Sequence, residues 1–424
     1  MKTNREISHN KGEKIPINWM TDTLKNFLRD KPQYGINAPA TDFNDNLPKY
    51  IRITDITEDG LYTDENKVSV DHKDSSSYLV EEGDILFART GASVGKSYLY
   101  NQKDGILVFA GFLIRIKCDP KKILPNYLFQ YTKTKSYWDW VKIMSMRSGQ
   151  PGINGKEYTE LPLLLPKIIN EQHAIAEALS NMDSLIAAQE ALIAKKRAIK
   201  LGVMQELLTG KRRLPGFSGE WKCRKLTEIC WFQEGPGVRT TQFTRSGVKL
   251  FNGSNIQNGR INLDNTDRYI SEKEAFGPYS HFLADEGDLV IASSGVTIDK
   301  FEEKVAFIEK EHLPLCMNTS TIRFKPNKDH LQPYFLLNFL MSDSFKQQIG
   351  SIATGSAQLN FGPAHIIKVR IDVPDMEEQI AIVEILTDLS EQILILEEKL
   401  QKTKFLKQGM MQELLTGRIR LTGE

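Results

Sequence analysis

The sequence predicts an α+β protein: two globular mixed-sheet heads joined by two long antiparallel coiled-coil helices, the halves related as a pseudo-two-fold tandem duplication. Three observations predict it. The segment MQELLTG occurs at Met204–Gly210 and again, identically, at Met411–Gly417. Each copy closes a stretch of about 36 residues whose apolar side chains follow 4–3 spacing. Ahead of each stretch lie short apolar or alternating runs broken by Gly, Asn, Asp and Ser, the pattern of strands and turns.

The repeat is collinear over the whole chain, which makes chance an inadequate explanation. Trp19 pairs with Trp221 at an offset of 202 residues, and Glu82–Ile85 pairs with Glu286–Leu289 at 204. Gly149 and Asn154 align with Gly355 and Asn360 at 206, and Glu171-Gln172 with Glu378-Gln379 at 207. Such a period is far too long for a solenoid, so each copy is a domain-sized unit. The expected order is a lead over 1–15, a head over 16–166, a helical segment over 167–214, a second head over 215–374 and a second helical segment over 375–424.

The helical segments are the clearer elements. Between Glu171 and Leu208 there is no proline and a single glycine. One seam runs Ile175, Leu179, Met182, Ile186, Gln189, Ile193, Lys196, Lys200, Val203, Leu207. The second runs Ile382, Leu386, Leu389, Ile393, Leu396, Leu400, Thr403, Lys407, Met410, Leu414. The helices should begin after Pro166 and Pro374 and stop at Gly210 and Gly417. A rod roughly 54 Å long needs a partner face, and the other copy packed antiparallel supplies one. Lys200 and Lys407 interrupt the seams at matching positions, either snorkelling to solvent or fixing register.

In the heads, strands are expected at Tyr50–Ile56, Asp84–Ala88, Leu107–Lys117 and Leu161–Leu165, and in the second copy at Val248–Phe251, Asp288–Ala292, Lys304–Ile308 and Thr321–Lys325. One helix per head is expected, from Asn126–Lys133 onward and over Pro333–Gln348. The heads share only a skeleton: a leading Trp, the EGD turn, an Arg after an Ile (Arg115, Arg323) and a Gly-containing loop near the end.

Composition limits the function. The 424 residues are 40% hydrophobic and 26% charged, which suits a soluble globular protein with real cores. Charge nearly cancels, 55 Lys+Arg against 54 Asp+Glu, which excludes a basic nucleic-acid tail but not local basic surfaces. The longest apolar run, Ile106–Ile114, is too short for a bilayer, and the polar start MKTNREISHNKGEK is no signal peptide. Cys118, Cys223, Cys230 and Cys316 form no C-x-x-C pair and read as free thiols of a cytoplasmic protein.

No catalytic set stands out. The run Ala92–Ser97 resembles a phosphate loop, but the glycine required five residues before Gly95 is Thr90. The chain has 17 prolines and no Pro-Pro pair, hence none of the adenine-methyltransferase signature. His173 becomes Ile380 in the second copy, so it reads as a helix residue rather than a metal ligand. The acids of PDMEEQ at Pro374 sit where a helix N-terminus favours them.

The duplicated pattern NEQHAIAEALSNMDSLI…MQELLTGKRRLPGF and MEEQIAIVEILTDLSEQI…MQELLTGRIRL resembles the specificity subunit of type I restriction–modification systems, as do EGDILFARTGASVGK and the SGQPGIN and TGSAQLN loops. The likeness runs from about Pro16 to Leu421. It implies a non-catalytic chain whose heads are target recognition domains, each reading half of a bipartite site on double-stranded DNA. The helices would set the spacer and dock two modification subunits, which use S-adenosylmethionine to methylate adenine N6. Two restriction subunits would add translocation and cleavage driven by ATP and Mg2+. The chain itself would bind no metal or cofactor and have no membrane partner.

Unequal heads imply an asymmetric target. Base reading needs Arg, Lys, Gln, Ser or Thr at groove edges. The loops offer Arg89, Thr90, Lys96, Ser97, Arg147, Ser148 and Gln150 in the first head, and Ser293, Ser294, Thr297, Lys300, Thr354, Ser356 and Gln358 in the second. Basic residues at the rod ends (Lys195, Lys196, Arg197, Lys211, Arg212, Arg213, Arg418, Arg420) are candidates for phosphate contacts. The alternative is a non-catalytic coiled-coil adaptor whose heads bind protein.

Overall fold

The computed structural model describes residues 15–146, 149–264, 266–351 and 358–421. The chain forms two compact units: Met1–Glu190 with Glu398–Glu424, and Ala191–Glu397. Both unit boundaries fall inside long helices, Ile169–Leu207 and Met376–Leu414, each of 39 residues. Each unit therefore contains one head, the first part of the rod helix that follows it, and the last part of the other rod helix.

In unit 1 an antiparallel sheet has the order Gln33–Tyr34, Leu113–Lys117, Asp84–Ala88, Ser97–Leu99. A second sheet runs Thr41–Asp42, Val68–Ser69, Lys49–Ile51, Leu107–Phe109, its last pair parallel. The strand Trp19–Thr23 pairs with Pro162–Pro166 and brings the two ends of the head together. Unit 2 repeats this arrangement. Its first sheet runs Cys230–Glu234, Thr321–Pro326, Leu289–Ala292, Val305–Phe307. Its second runs Phe243–Thr244, Tyr269–Ile270, Val248–Phe251, Leu315–Met317, again with a parallel last pair. Lys222–Lys225 pairs with Arg370–Val373. Heads that share little sequence share strand order and sense.

Some expected elements change. The run Leu107–Lys117 is two strands in different sheets, because Ala110–Phe112 forms a turn between them. Tyr50–Ile56 shortens to Lys49–Ile51 followed by a helical turn whose Asp55 caps back onto Arg52. Where one helix per head is expected there is a pair, Pro125–Tyr131 and Lys135–Met144 in unit 1, and Pro333–Met341 and Asp343–Gly350 in unit 2, besides shorter helices elsewhere in each head. Thr134 and Ser342 cap the second helix of each pair and so end the first.

The repeated dipeptides now have a physical reason. Gln172 Oε1 accepts from Leu124 N, while its Nε2 donates to Lys122 O and Pro166 O. Gln379 does the same with Gln332 N, His330 O and Pro374 O. Each glutamine thus satisfies buried backbone groups that a helix start and a loop end would otherwise leave unpaired. The glutamates beside them anchor the leading tryptophans: Trp19 Nε1 donates to Glu171 at 3.2 Å and Trp221 Nε1 to Glu378 at 3.1 Å. An arginine closes each group, Arg420 on Glu171 and Arg213 on Glu378. Both arginines lie just past an MQELLTG segment. The second segment, with Leu414 and Leu415, sits in the core of the first head, and the first, with Met204, Leu207 and Leu208, in the core of the second.

Every residue of both predicted seams is buried or half-buried. Within unit 1, Glu190 meets Lys404 at 2.7 Å and Asp183 meets Lys407, so numbers rise along one helix as they fall along the other. Within unit 2 the two rod helices are also joined, Lys196 to Gln392 and Arg197 to Glu397, both at 2.7 Å. Gly210 and Gly417 end the helices at φ +66° and +72°.

The seam lysines do not snorkel freely. Lys407 is held by Asp183, which also accepts from Gln130 at 2.9 Å and Lys133 at 3.4 Å. Burial works against the Asp183 carboxylate, but Lys133, Lys407 and Gln130 outweigh it and hold its pKa below the ordinary value. Burial lowers the pKa of Lys200, opposed by the charge of Glu302. A carboxylate depressed in the folded state stabilises above its unfolded pKa, and that stability is lost as pH falls through the folded value. Asp183→Asn is expected to cost about 1–2 kcal/mol at neutral pH, allowing for solvent screening. The cost should shrink toward zero in acid. Denaturant titrations at the two pH values check this, and a cost independent of pH would count against it.

Candidate nucleic-acid interface

The first head's loop leaves the buried strand Asp84–Ala88 and is pinned to a second loop. Ile153 N donates to Arg89 O at 2.9 Å and Gly91 N to Pro151 O at 3.0 Å. In the second head Phe361 N donates to Ser293 O at 2.9 Å, and Val296 and Leu359 exchange bonds. These bonds set the equivalence of the loops. Ile153 matches Phe361 and Gln150 matches Gln358, an offset of 208 rather than the 206 read from glycines and asparagines. Gln150 and Gln358 are both exposed, near Gly91 (φ +71°) and Gly295 (φ +68°) respectively.

The buried frame behind the loops is the same in both heads. Arg115 donates to Asp84 at 3.2 Å and to Leu79 O, and it also meets Gln33. Arg323 donates to Asp288 at 3.0 Å, Leu283 O, His281 O and Gln233. The aspartate of each EGD turn is thus a structural partner for the strand arginine, which explains why both survive in diverged heads.

The candidate residues divide sharply. Arg89 and Thr90 are half-buried at the surface of the first head, and Thr297 is half-buried in the second. Ser294 is exposed but donates to Asn360 Oδ1 at 2.8 Å. Three candidates are corrected. Ser97 is buried, and its hydroxyl is spent on Thr132 at 2.6 Å. Ser293 is 2% exposed, its backbone tied to Ser320 and Phe361. Lys96 turns back to Glu58 at 2.7 Å and Ile56 O. Arg147, Ser148, Thr354 and Ser356 lie outside the described residues, as does the side chain of Lys300.

The phosphate-loop lookalike is packing. A side chain on Gly95 would meet Val141 Cγ1 at 2.6 Å, and Tyr137 donates to Gly95 O at 2.6 Å. Gly95 serves contact with the helix Lys135–Met144. The rod-end basic residues are also largely engaged. Arg213 and Arg420 hold Glu378 and Glu171, Arg197 holds Glu397, and Arg212 and Arg418 hold Glu206 and Glu413.

Sequence reading missed Tyr34. It is 41% exposed, carries the Arg89 guanidinium 4.9 Å from its ring centre, and accepts from Gly155 N at 2.9 Å. It also lines a cleft of about 570 Å³ with Lys25, Arg29, Lys31 and Lys156 and one carboxylate, Asp30, which pairs with Arg29; the excess of cations suits a phosphate backbone. The bunching of Lys25, Arg29 and Lys31 was visible in the sequence, whereas the meeting of Tyr34 with Arg89 was not. In the second head Trp231 is an exposed aromatic that also carries cations, Arg323 and Lys325 at 5.1 and 5.8 Å from its ring.

Two heads of one topology with differing surface loops define a duplicated recognition protein. The chain belongs to the type I restriction modification DNA specificity domain family, which matches it twice, over residues 16–195 and 218–404. It is similar to the type I restriction enzyme MjaVIII specificity subunit of Methanocaldococcus jannaschii, 25% identical over 97% of this chain and 95% of the relative. A putative type I restriction enzyme MjaX specificity subunit of the same organism is 23% identical, over 96% and 95%. Among solved structures, a chain described for complex assembly and conformational transition of the type I restriction–modification system superposes with a TM-score of 0.60 at 16% identity, covering 96% of this chain and all of that one. The type I S subunit from M. genitalium gives 0.57 at 14% identity, covering 96% and 97%.

Proposed function

We propose that this chain is the DNA sequence-recognition subunit of a type I restriction–modification complex, each head reading one half of a bipartite, asymmetric target. One observation carries the reading: two heads with the same strand order and the same buried Asp–Arg–Gln frame carry different residues at equivalent surface loops. A constant frame with variable loops is what two unlike half-sites require. The partners are double-stranded DNA, two modification subunits and two restriction subunits. S-adenosylmethionine, ATP and Mg2+ belong to those partners, and this chain contributes no reacting group.

The rods set the spacer and dock the modification subunits. Support for docking comes from apolar side chains left exposed on rod segments, Ile395 in one unit and Phe405 and Leu406 in the other. Long-read methylome sequencing of cells with and without the gene tests the function. N6-methyladenine at one bipartite motif should disappear with the gene, and an unchanged methylome would refute the proposal. Exchanging residues 216–365 for those of a relative should alter one half-motif and leave the other and the spacer intact. Changes in both halves would show that the heads do not read separately.

A further inference from the structure

We propose that Arg89 reads a guanine in the half-site of the first head, with Tyr34 as its positioning residue; this rests on the recognition function above. Every other described arginine of unit 1 is paired with a carboxylate: Arg29 with Asp30, Arg52 with Asp55, Arg115 with Asp84, Arg418 with Glu413 and Arg420 with Glu171. Among the described residues Arg89 has no such partner. Its one side-chain hydrogen bond, to Gly111 O, is 3.5 Å long, at the outer limit of such a bond. Its remaining donors are unspent.

The backbone of Arg89 is nevertheless rigid, its N–H donating to Phe112 O at 3.0 Å and its carbonyl accepting from Ile153 N at 2.9 Å. The guanidinium carbon lies over the Tyr34 ring, 4.9 Å from its centre, and Gly155 N–H holds that ring by its hydroxyl at 2.9 Å. A cation–ring contact of this kind holds the fork in place without using its N–H donors. A pre-set fork with spare donors matches two acceptors in one plane, and guanine N7 and O6 present that pair in the major groove. Phosphate contacts have their own residues next door, since Lys25, Lys31 and Lys156 line the cleft on which Tyr34 borders. The second head has the buried Ser293 at the equivalent position, so this guanine belongs to one half-site only.

The test uses the full chain with its modification subunits. In cells, the half-motif that survives exchange of residues 216–365 should contain a guanine. Arg89→Ala should make that position degenerate and leave the other half unchanged. On purified complex, the wild type should prefer the guanine duplex over one substituted there by about 5- to 150-fold, and Arg89→Ala should abolish the preference. Arg89→Lys keeps charge and bulk but lacks the fork, so a partial loss is expected. Tyr34→Ala should weaken the preference, and Tyr34→Phe, which keeps the ring, should weaken it less. An unchanged motif in Arg89→Ala overturns the proposal. So does a uniform loss of affinity on all sequences with a salt slope reduced by about one, which would mark Arg89 as a phosphate contact. If the wild-type chain directs no motif at all, the recognition function itself fails, independently of Arg89.

Discussion

Asp288→Ala is expected to destabilise unit 2 by about 3–5 kcal/mol, because it leaves a guanidinium buried without its counter-charge. The side chains of Asp288 and Arg323 are 3% and 5% exposed. Arg323 would keep Gln233, Leu283 O and His281 O, all neutral. Hydrogen bonds to neutral groups do not offset a charge removed from water. The melting transition of unit 2 should fall by roughly 10 °C. Replacing Asp288 and Arg323 together by apolar residues of similar volume should recover much of the loss, since a buried pair is worth far less than the penalty for breaking it. A single substitution costing under about 1 kcal/mol would show that solvent reaches Arg323, and the frame argument would fail.

Deleting residues 410–421 is expected to abolish the cooperative fold of unit 1 while unit 2 stays folded. The deletion removes Leu414 and Leu415 from the core of the first head, each worth about 2–5 kcal/mol. It also strips Arg420 from Glu171, whose side chain is fully buried. Together these losses are comparable with the whole stability of a domain, about 5–15 kcal/mol. Unit 2 keeps its own set, Met204, Leu207, Leu208 and the Arg213–Glu378 pair. Hydrogen exchange should show protection lost from the strands Asp84–Ala88 and Leu113–Lys117 and retained in Leu289–Ala292 and Thr321–Pro326. Equal loss in both units would refute the assignment.

The rods and the duplication were legible because heptad spacing and identical segments are local signals. The strands Asp84–Ala88 and Val248–Phe251 were legible to the residue for the same reason. The destination of MQELLTG was not. Its spacing announces a helix end but carries no record of which head that end enters. The loop candidates suffered likewise. Ser97 and Ser293 follow turn-like sequence, yet their burial depends on Thr132 and Ser320, which are distant along the chain. Arg89 was picked out by type and loop, whereas the ring beneath it lies 55 residues away in the sequence.

The route of the chain also orders its synthesis. Unit 2 is one uninterrupted stretch, Ala191–Glu397, whereas the head begun first waits for residues that follow all of unit 2 in the chain. Domains ordinarily complete in the order in which they leave the ribosome. Here that order is inverted: the later head has every residue it needs once Glu397 has emerged, while the earlier one lacks Leu414, Leu415 and Arg420. Until those residues emerge, the core of the first head lacks apolar side chains that complete it. A stop between positions 398 and 414 would therefore disable the part of the protein made first.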